Sequence, residues 1–111
     1  MEENKVLSEE DVQMMAFEII MHSGNGRSTI HEAFALMREA KFTDADAKLA
    51  EAKEALTEAH GAQTGLLHQM ASGADIKVDV LLVHAQDHLM TTMTLHEVAL
   101  EMLFLHRELK K

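Results

Sequence analysis

Apolar and polar positions alternate along this chain in steps of three and four, the pattern of helices that each bury one face. Val12, Met15, Ile19, Ser23, Gly26, Ile30, Ala33 and Met37 form a first stripe. Ser8 precedes it with an acid, Asp11, three residues on, a capping box in which each side chain satisfies a backbone N–H of the other. Gly24-Asn25-Gly26 falls in the middle of the stripe, and a glycine inside a helix costs about 1 kcal/mol against alanine. The stripe keeps its phase across the glycines. We therefore expect one long helix over residues 8–40, kinked or closely approached there, in preference to two shorter ones.

Leu49, Ala52, Leu56, Ala59, Gln63, Leu66 and Met70 form a second stripe, a strict heptad seam. Thr43 and Asp46 read as its capping box, and Gly73 as a left-handed stop, which predicts a helix over 43–72. Gln63 is polar on that seam and is expected to make a register-fixing hydrogen bond. The third segment, from Asp75 to Lys110, behaves differently. Nineteen of the thirty-four residues 76–109 are apolar and they occupy every side of a helix. A surface helix carries one apolar stripe; two neighbours in a small bundle leave about half of this one uncovered. The pattern predicts an all-α, antiparallel up-down-up three-helix bundle, a single domain over 1–111, in which third helices of several copies pack together.

Composition sharpens this picture. The 111 residues include no proline and no cysteine, which favours helix and excludes disulfides, cysteine-based metal sites and a cysteine nucleophile. Ten basic against nineteen acidic residues give a net charge of −9, unsuited to a nucleic-acid-binding face and suited to basic partner surfaces. Nine methionines read as adaptable core filler, with a soft binding surface as the alternative. Residues 1–11 lack the basic and apolar regions of a signal peptide. No apolar run approaches the ~20 residues needed to span a bilayer, so the expected location is the cytoplasm.

The one concentrated piece of chemistry is Val83-His84-Ala85-Gln86-Asp87-His88-Leu89-Met90. His84 and His88 are one helical turn apart and Asp87 is three residues after His84, so all three share overlapping faces. A carboxylate in apolar surroundings needs a partner or a metal. Three readings stand side by side. The groups form ordinary hydrogen bonds or face solvent; or the two histidines hold a metal, without the glutamate of the HExxH signature; or a histidine accepts a phosphoryl group. For the last, neutral imidazole is a good nucleophile near neutral pH, and Gln86, His88, Thr91 and Thr92 offer hydrogen bonds to a phosphate. No nucleotide-binding loop is present: Gly24-Asn25-Gly26-Arg27-Ser28 lacks the lysine and the preceding strand. A phosphoryl group on His84 must come from another protein. His22, His31, His60, His68, His96 and His106 have no matching constellation and read as surface or core residues.

Residues 81–95, LLVHAQDHLMTTMTL, resemble the signature of the lactose/cellobiose-type IIA component of the bacterial sugar phosphotransferase system, and residues 17–33 and 51–67 are similar to it as well. The resemblance covers nearly the whole chain at consistent spacing. It implies a homotrimer. It implies that His84, through Nε2, takes a phosphoryl group from phosphorylated HPr and passes it to a cysteine of the sugar-specific IIB component, which serves the membrane component IIC. It implies that Asp87 meets its symmetry mates at the trimer axis around one divalent metal, Mg2+, per trimer. Gln86 and His88 are the candidate supporting donors. The IIA component does not touch the sugar, so no residue here selects lactose, cellobiose or chitobiose. The rivals are a helical metal-binding or structural oligomer and the histidine phosphotransfer module of two-component signalling, whose lysine and glycine after the histidine are absent from Ala-Gln-Asp-His-Leu.

Overall fold

The structure, a computed structural model, describes residues 7–111. Residues 1–6, part of the stretch read above as carrying no targeting segment, lie outside the described residues. Three helices follow one another: α1 (Glu9–Arg38), α2 (Phe42–Ala71) and α3 (Val80–Leu109). They form the up-down-up bundle expected from the pattern, with α1 and α3 running in the same direction. Among the described residues there is no strand, and no helix is long and apolar enough to cross a membrane.

The start of α1 is the predicted capping box. Asp11 N–H donates to Ser8 Oγ and Ser8 N–H donates to the Asp11 carboxylate, each at 3.1 Å. The helix continues through Gly24-Asn25-Gly26 without interruption. The physical role of Gly26 is close approach: a Cβ there would lie 3.2 Å from Leu56 Cγ and 3.5 Å from the Ala52 carbonyl oxygen of α2. Gly26→Val should therefore destabilise the chain by about 1–3 kcal/mol, the usual range for overpacking. A urea titration reads the loss directly, and an unchanged midpoint would show that Leu56 gives way freely.

Both α1 and α2 stop in the same motif. Ala40 takes a left-handed φ of 58°, while Lys41 N–H donates to Leu36 O at 2.9 Å and Ala40 N–H to Met37 O at 3.0 Å. This six-to-one and five-to-two pair satisfies carbonyls that a helix end otherwise orphans. Gly73, with φ 95°, does the same for α2 in the predicted manner, with Ala74 N–H on Gln69 O at 2.9 Å. The early reversal at Ala40 shifts the beginning of α2. Lys41 is the N-cap and makes no side-chain cap, so the Thr43–Asp46 capping box expected from sequence does not form. The third helix also begins later than expected, at Val80 and not Asp75. Asp79 caps it by accepting from Leu82 N–H at 2.9 Å. Residues 74–79 instead cross between helices, pinned by buried Ile76; the β-branched Ile76 and Val78 suit such extended backbone.

Each helix contributes seven buried positions in unbroken steps of three and four, the arrangement of a three-stranded coiled coil. Alanines are frequent among them: Ala33 on α1, Ala45, Ala52 and Ala59 on α2, and Ala85 and Ala99 on α3 are fully buried. Small side chains let the axes draw together. Two polar groups tie α3 to α2. Buried His96 bonds through Nε2 to the Leu49 carbonyl at 2.8 Å, and Gln63 reaches Gln86 and Met90. On the surface, Lys48 bridges Glu32 of α1 at 2.8 Å and Glu51 at 3.4 Å. The hydrogen bond from Glu32, then its charge, raise the lysine pKa, so the bridge stays charged across the physiological range.

The chain covers only one face of α3. Val80 is 84% exposed, Val83 55%, Met90 50% and Leu105 50%. These residues form a second seam, Val80-Val83-Asp87-Met90-Thr94-Val98-Glu101-Leu105, in steps of three and four on the side opposite the core. The apolar girdle read from sequence is thus two seams back to back. One is used inside the chain and the other is open.

Candidate functional site

The polar cluster sits at the N-terminal third of α3, and helical phase divides it among three directions. His84 is exposed and His88 half-buried, and their rings stack with centroids 5.9 Å apart and planes 23° from parallel. This pair lies on the flank of α3 that turns toward α1. There His88 Nε2 stands 3.7 Å from the position a Cβ would take on Gly24. Gly24 thus leaves room for the ring to rest on the α1 backbone. With α1 and α3 parallel, this contact sets the register: Phe17 and Met21, both more than half exposed, stand near the level of Leu81 to Ala85. An open imidazole is therefore rimmed by apolar surface.

Asp87 points along the second seam, between Val83 and Met90, and is exposed. Thr91 Oγ1 donates to the Asp87 backbone carbonyl at 2.8 Å, not to its carboxylate. Among the described residues, no cluster of three or more histidine, cysteine or acidic side chains in one chain could hold a metal. The paired-histidine metal reading therefore finds no third ligand within the chain.

Gln86 occupies the opposite flank, toward α2, where its Oε1 accepts from Gln63 Nε2. The same nitrogen lies 3.5 Å from Met90 Sδ. Within one chain, Gln86 and His84 project to opposite sides of the helix. The hydroxyls that the sequence suggested beside a phosphate are also placed elsewhere. Thr92 is fully buried on the core seam, its hydroxyl without a partner among the described residues. Thr91 Oγ1 is engaged with the carbonyls of Asp87 and His88. Phase alone could have found Thr92, since it follows Leu89 by three.

The remaining histidines have structural surroundings. His96 is the core tie to α2. His106 bonds through Nδ1 to Met102 O at 2.8 Å. His31 meets Phe34 edge-on at 6.0 Å, and His22 lies 4.0 Å from Glu18.

Residues 14–107 match the family described as PTS system, Lactose/Cellobiose specific IIA subunit. The chain belongs to that family. It is a lactose/cellobiose-type IIA component of the sugar phosphotransferase system, a component of a phosphoryl-transfer chain that serves sugar uptake. Among its relatives is the PTS system lactose-specific EIIA component of Staphylococcus epidermidis, 36% identical over 92% of this chain and 98% of the relative. Among solved structures, PtcA from S. mutans is 58% identical over 88% of this chain and 96% of its own, with a TM-score of 0.87. The chitobiose IIA from the solution structures of the IIA(Chitobiose)–HPr complex of Escherichia coli is 35% identical over 90% of this chain and 97% of its own, with a TM-score of 0.76. The family resemblance read from the VHAQDHLMT string is thereby shown. In this IIA chain the string forms the stacked histidine pair, the seam carboxylate and the Gln63-held amide.

Proposed function

We propose that this chain is a phosphohistidine carrier in which His84 accepts a phosphoryl group from phosphorylated HPr and hands it to a cysteine of a cognate IIB component. One observation carries the assignment to His84. Of the two stacked imidazoles, only His84 is open to solvent, whereas His88 is half-buried against Gly24. HPr as the donor is supported by the chitobiose IIA, a structural relative solved in complex with it. The exposed Phe17 and Met21 offer that protein an apolar landing surface beside the ring.

The transfer is an in-line displacement. The His84 Nε2 lone pair forms the P–N bond as the bond from phosphorus to the HPr imidazole breaks, and that imidazole leaves with its electron pair. Little covalent work falls to the protein; rate comes from positioning and from groups that meet the phosphoryl oxygens. The reverse geometry passes the group to the IIB sulfur, and IIC then uses it on the sugar. The location this requires is the cytoplasm. Mass mapping after incubation with phosphorylated HPr tests the proposal. A single phosphoryl group on His84 is expected, and a label on another residue would overturn it.

The second seam supports a homotrimer. Its apolar members have no cover within the chain, and three parallel copies of α3 about an axis would bury them. That arrangement brings three Asp87 carboxylates to the axis, where like charges repel. Three carboxylates are a hard-oxygen donor set that suits one Mg2+ per trimer, and Asp87's carboxylate is not occupied by Thr91. The metal would neutralise the axial charge. Asp87→Leu should leave a trimer that no longer responds to a chelator, read by sedimentation velocity with and without EDTA. Dissociation of that variant would overturn the repulsive role of Asp87.

A further inference from the structure

The Gln63–Gln86 contact has a directional consequence. Gln63 Nε2 lies against two groups at once, Gln86 Oε1 and Met90 Sδ. A thioether sulfur offers only an acceptor, so the Gln63 nitrogen, and not its oxygen, must face this corner. The Gln86 oxygen is then committed inward. Its NH2 group is left as a donor, and among the described residues no group accepts from it. Gln63 is 8% exposed, and a buried amide held by two partners has little freedom to turn over.

This donor faces away from the His84 of its own chain, because Gln86 and His84 occupy opposite flanks of α3. In a ring of three parallel α3 helices, the α2-side flank of one copy meets the α1-side flank of the next. Residues 84, 86 and 88 stand within a turn of each other in height. Gln86 of one protomer is thereby placed opposite the groove that holds His84 and His88 of its neighbour.

We propose that the phosphoryl-carrying site is completed in trans: the Gln86 NH2 group of one protomer donates to the phosphoryl oxygens on His84 of the next, and Gln63 is the positioning residue that keeps that amide donor-outward. The proposal rests on the carrier reading and on the trimer. It gives a reason for a polar residue on the α2 core seam beyond register: Gln63 sets which end of Gln86 the neighbouring protomer meets.

Mixed trimers test it. Gln86→Leu alone should slow single-turnover transfer from phosphorylated HPr about 10–100-fold, the lower side of what loss of one transition-state donor causes. Co-expression with His84→Ala supplies chains that keep Gln86 but cannot be phosphorylated. With random assembly in equal amounts, about half of the His84-bearing chains then face an intact Gln86, and that fraction should react at the wild-type rate. A donor acting within its own chain would give the slow phase only, which overturns the proposal. A wild-type rate for Gln86→Leu trimers overturns it too. Gln63→Glu offers only acceptors at the corner and should turn the Gln86 amide over. The maximal transfer rate should fall as in Gln86→Leu, with the half-saturating HPr concentration unchanged. A Gln63→Glu trimer with the wild-type maximal rate would remove Gln63 from the proposal. A wild-type trimer that takes no label on His84 removes the carrier reading itself, whereas a labelled wild type without fast-phase recovery in mixed trimers removes only the in-trans donor.

Discussion

His84→Ala should take up no phosphoryl group from phosphorylated HPr and should remain a folded trimer. The two halves of this expectation have separate causes. His84 is exposed and makes no hydrogen bond that holds the bundle together, and its ring contact is with His88 on the same helix. Surface substitutions of this kind stay within about 0.5 kcal/mol of the wild type, and alanine favours helix. The chemistry is another matter. Removing a nucleophile that forms the covalent intermediate costs at least about 10³-fold, because the remaining groups stabilise a transition state that can no longer form. His88 cannot substitute, since its Nε2 is turned onto the α1 backbone at Gly24. A labelling time course with mass mapping, beside a thermal melt and sedimentation, reads both halves. Normal labelling of the folded variant would reject His84 as the carrier.

Much of this architecture is legible in spacing alone. The seams of α1 and α2 follow steps of three and four, and the glycines at 26 and 73 mark the places where a helix approaches and where one stops. Two things are not legible in this way, for physical reasons. The reversal after α1 is carried by Ala40 in a left-handed conformation, to which an alanine gives no clue, so the Thr43–Asp46 pair looked like the better start. The start of α3 was hidden because Asp75 and Asp79 are both good caps, and only the burial of Ile76 decides between them. The site was half legible. The string around His84 names the reacting group, but α3 is apolar on two opposite sides. Hydrophobicity cannot say which side is core. Once α1 and α2 choose the Leu82–Leu89–His96–Leu103 side, phase sends Thr92 inward, Asp87 outward, and His84 and Gln86 to different flanks.

The outer seam can be broken without touching the inner one. Val83→Glu should convert the trimer to monomers that keep their helices. Val83 is 55% exposed in the single chain and lies in the first turns of α3, just after the Asp79 cap. A glutamate there meets the positive end of the helix, which favours it by about 0.3–1 kcal/mol. The monomer therefore loses nothing. In the trimer the same change adds three carboxylates to the axis, one turn from the three of Asp87. Each carries a desolvation penalty of several kcal/mol, with only like charges for company. No single cation of the kind Asp87 could share neutralises six. Sedimentation equilibrium should show the monomer mass with unchanged far-UV circular dichroism. Phosphoryl uptake should fall together with assembly, since a lone chain brings no neighbouring Gln86 to its His84. A Val83→Glu chain that remained trimeric would mean that the second seam is not the surface on which copies meet.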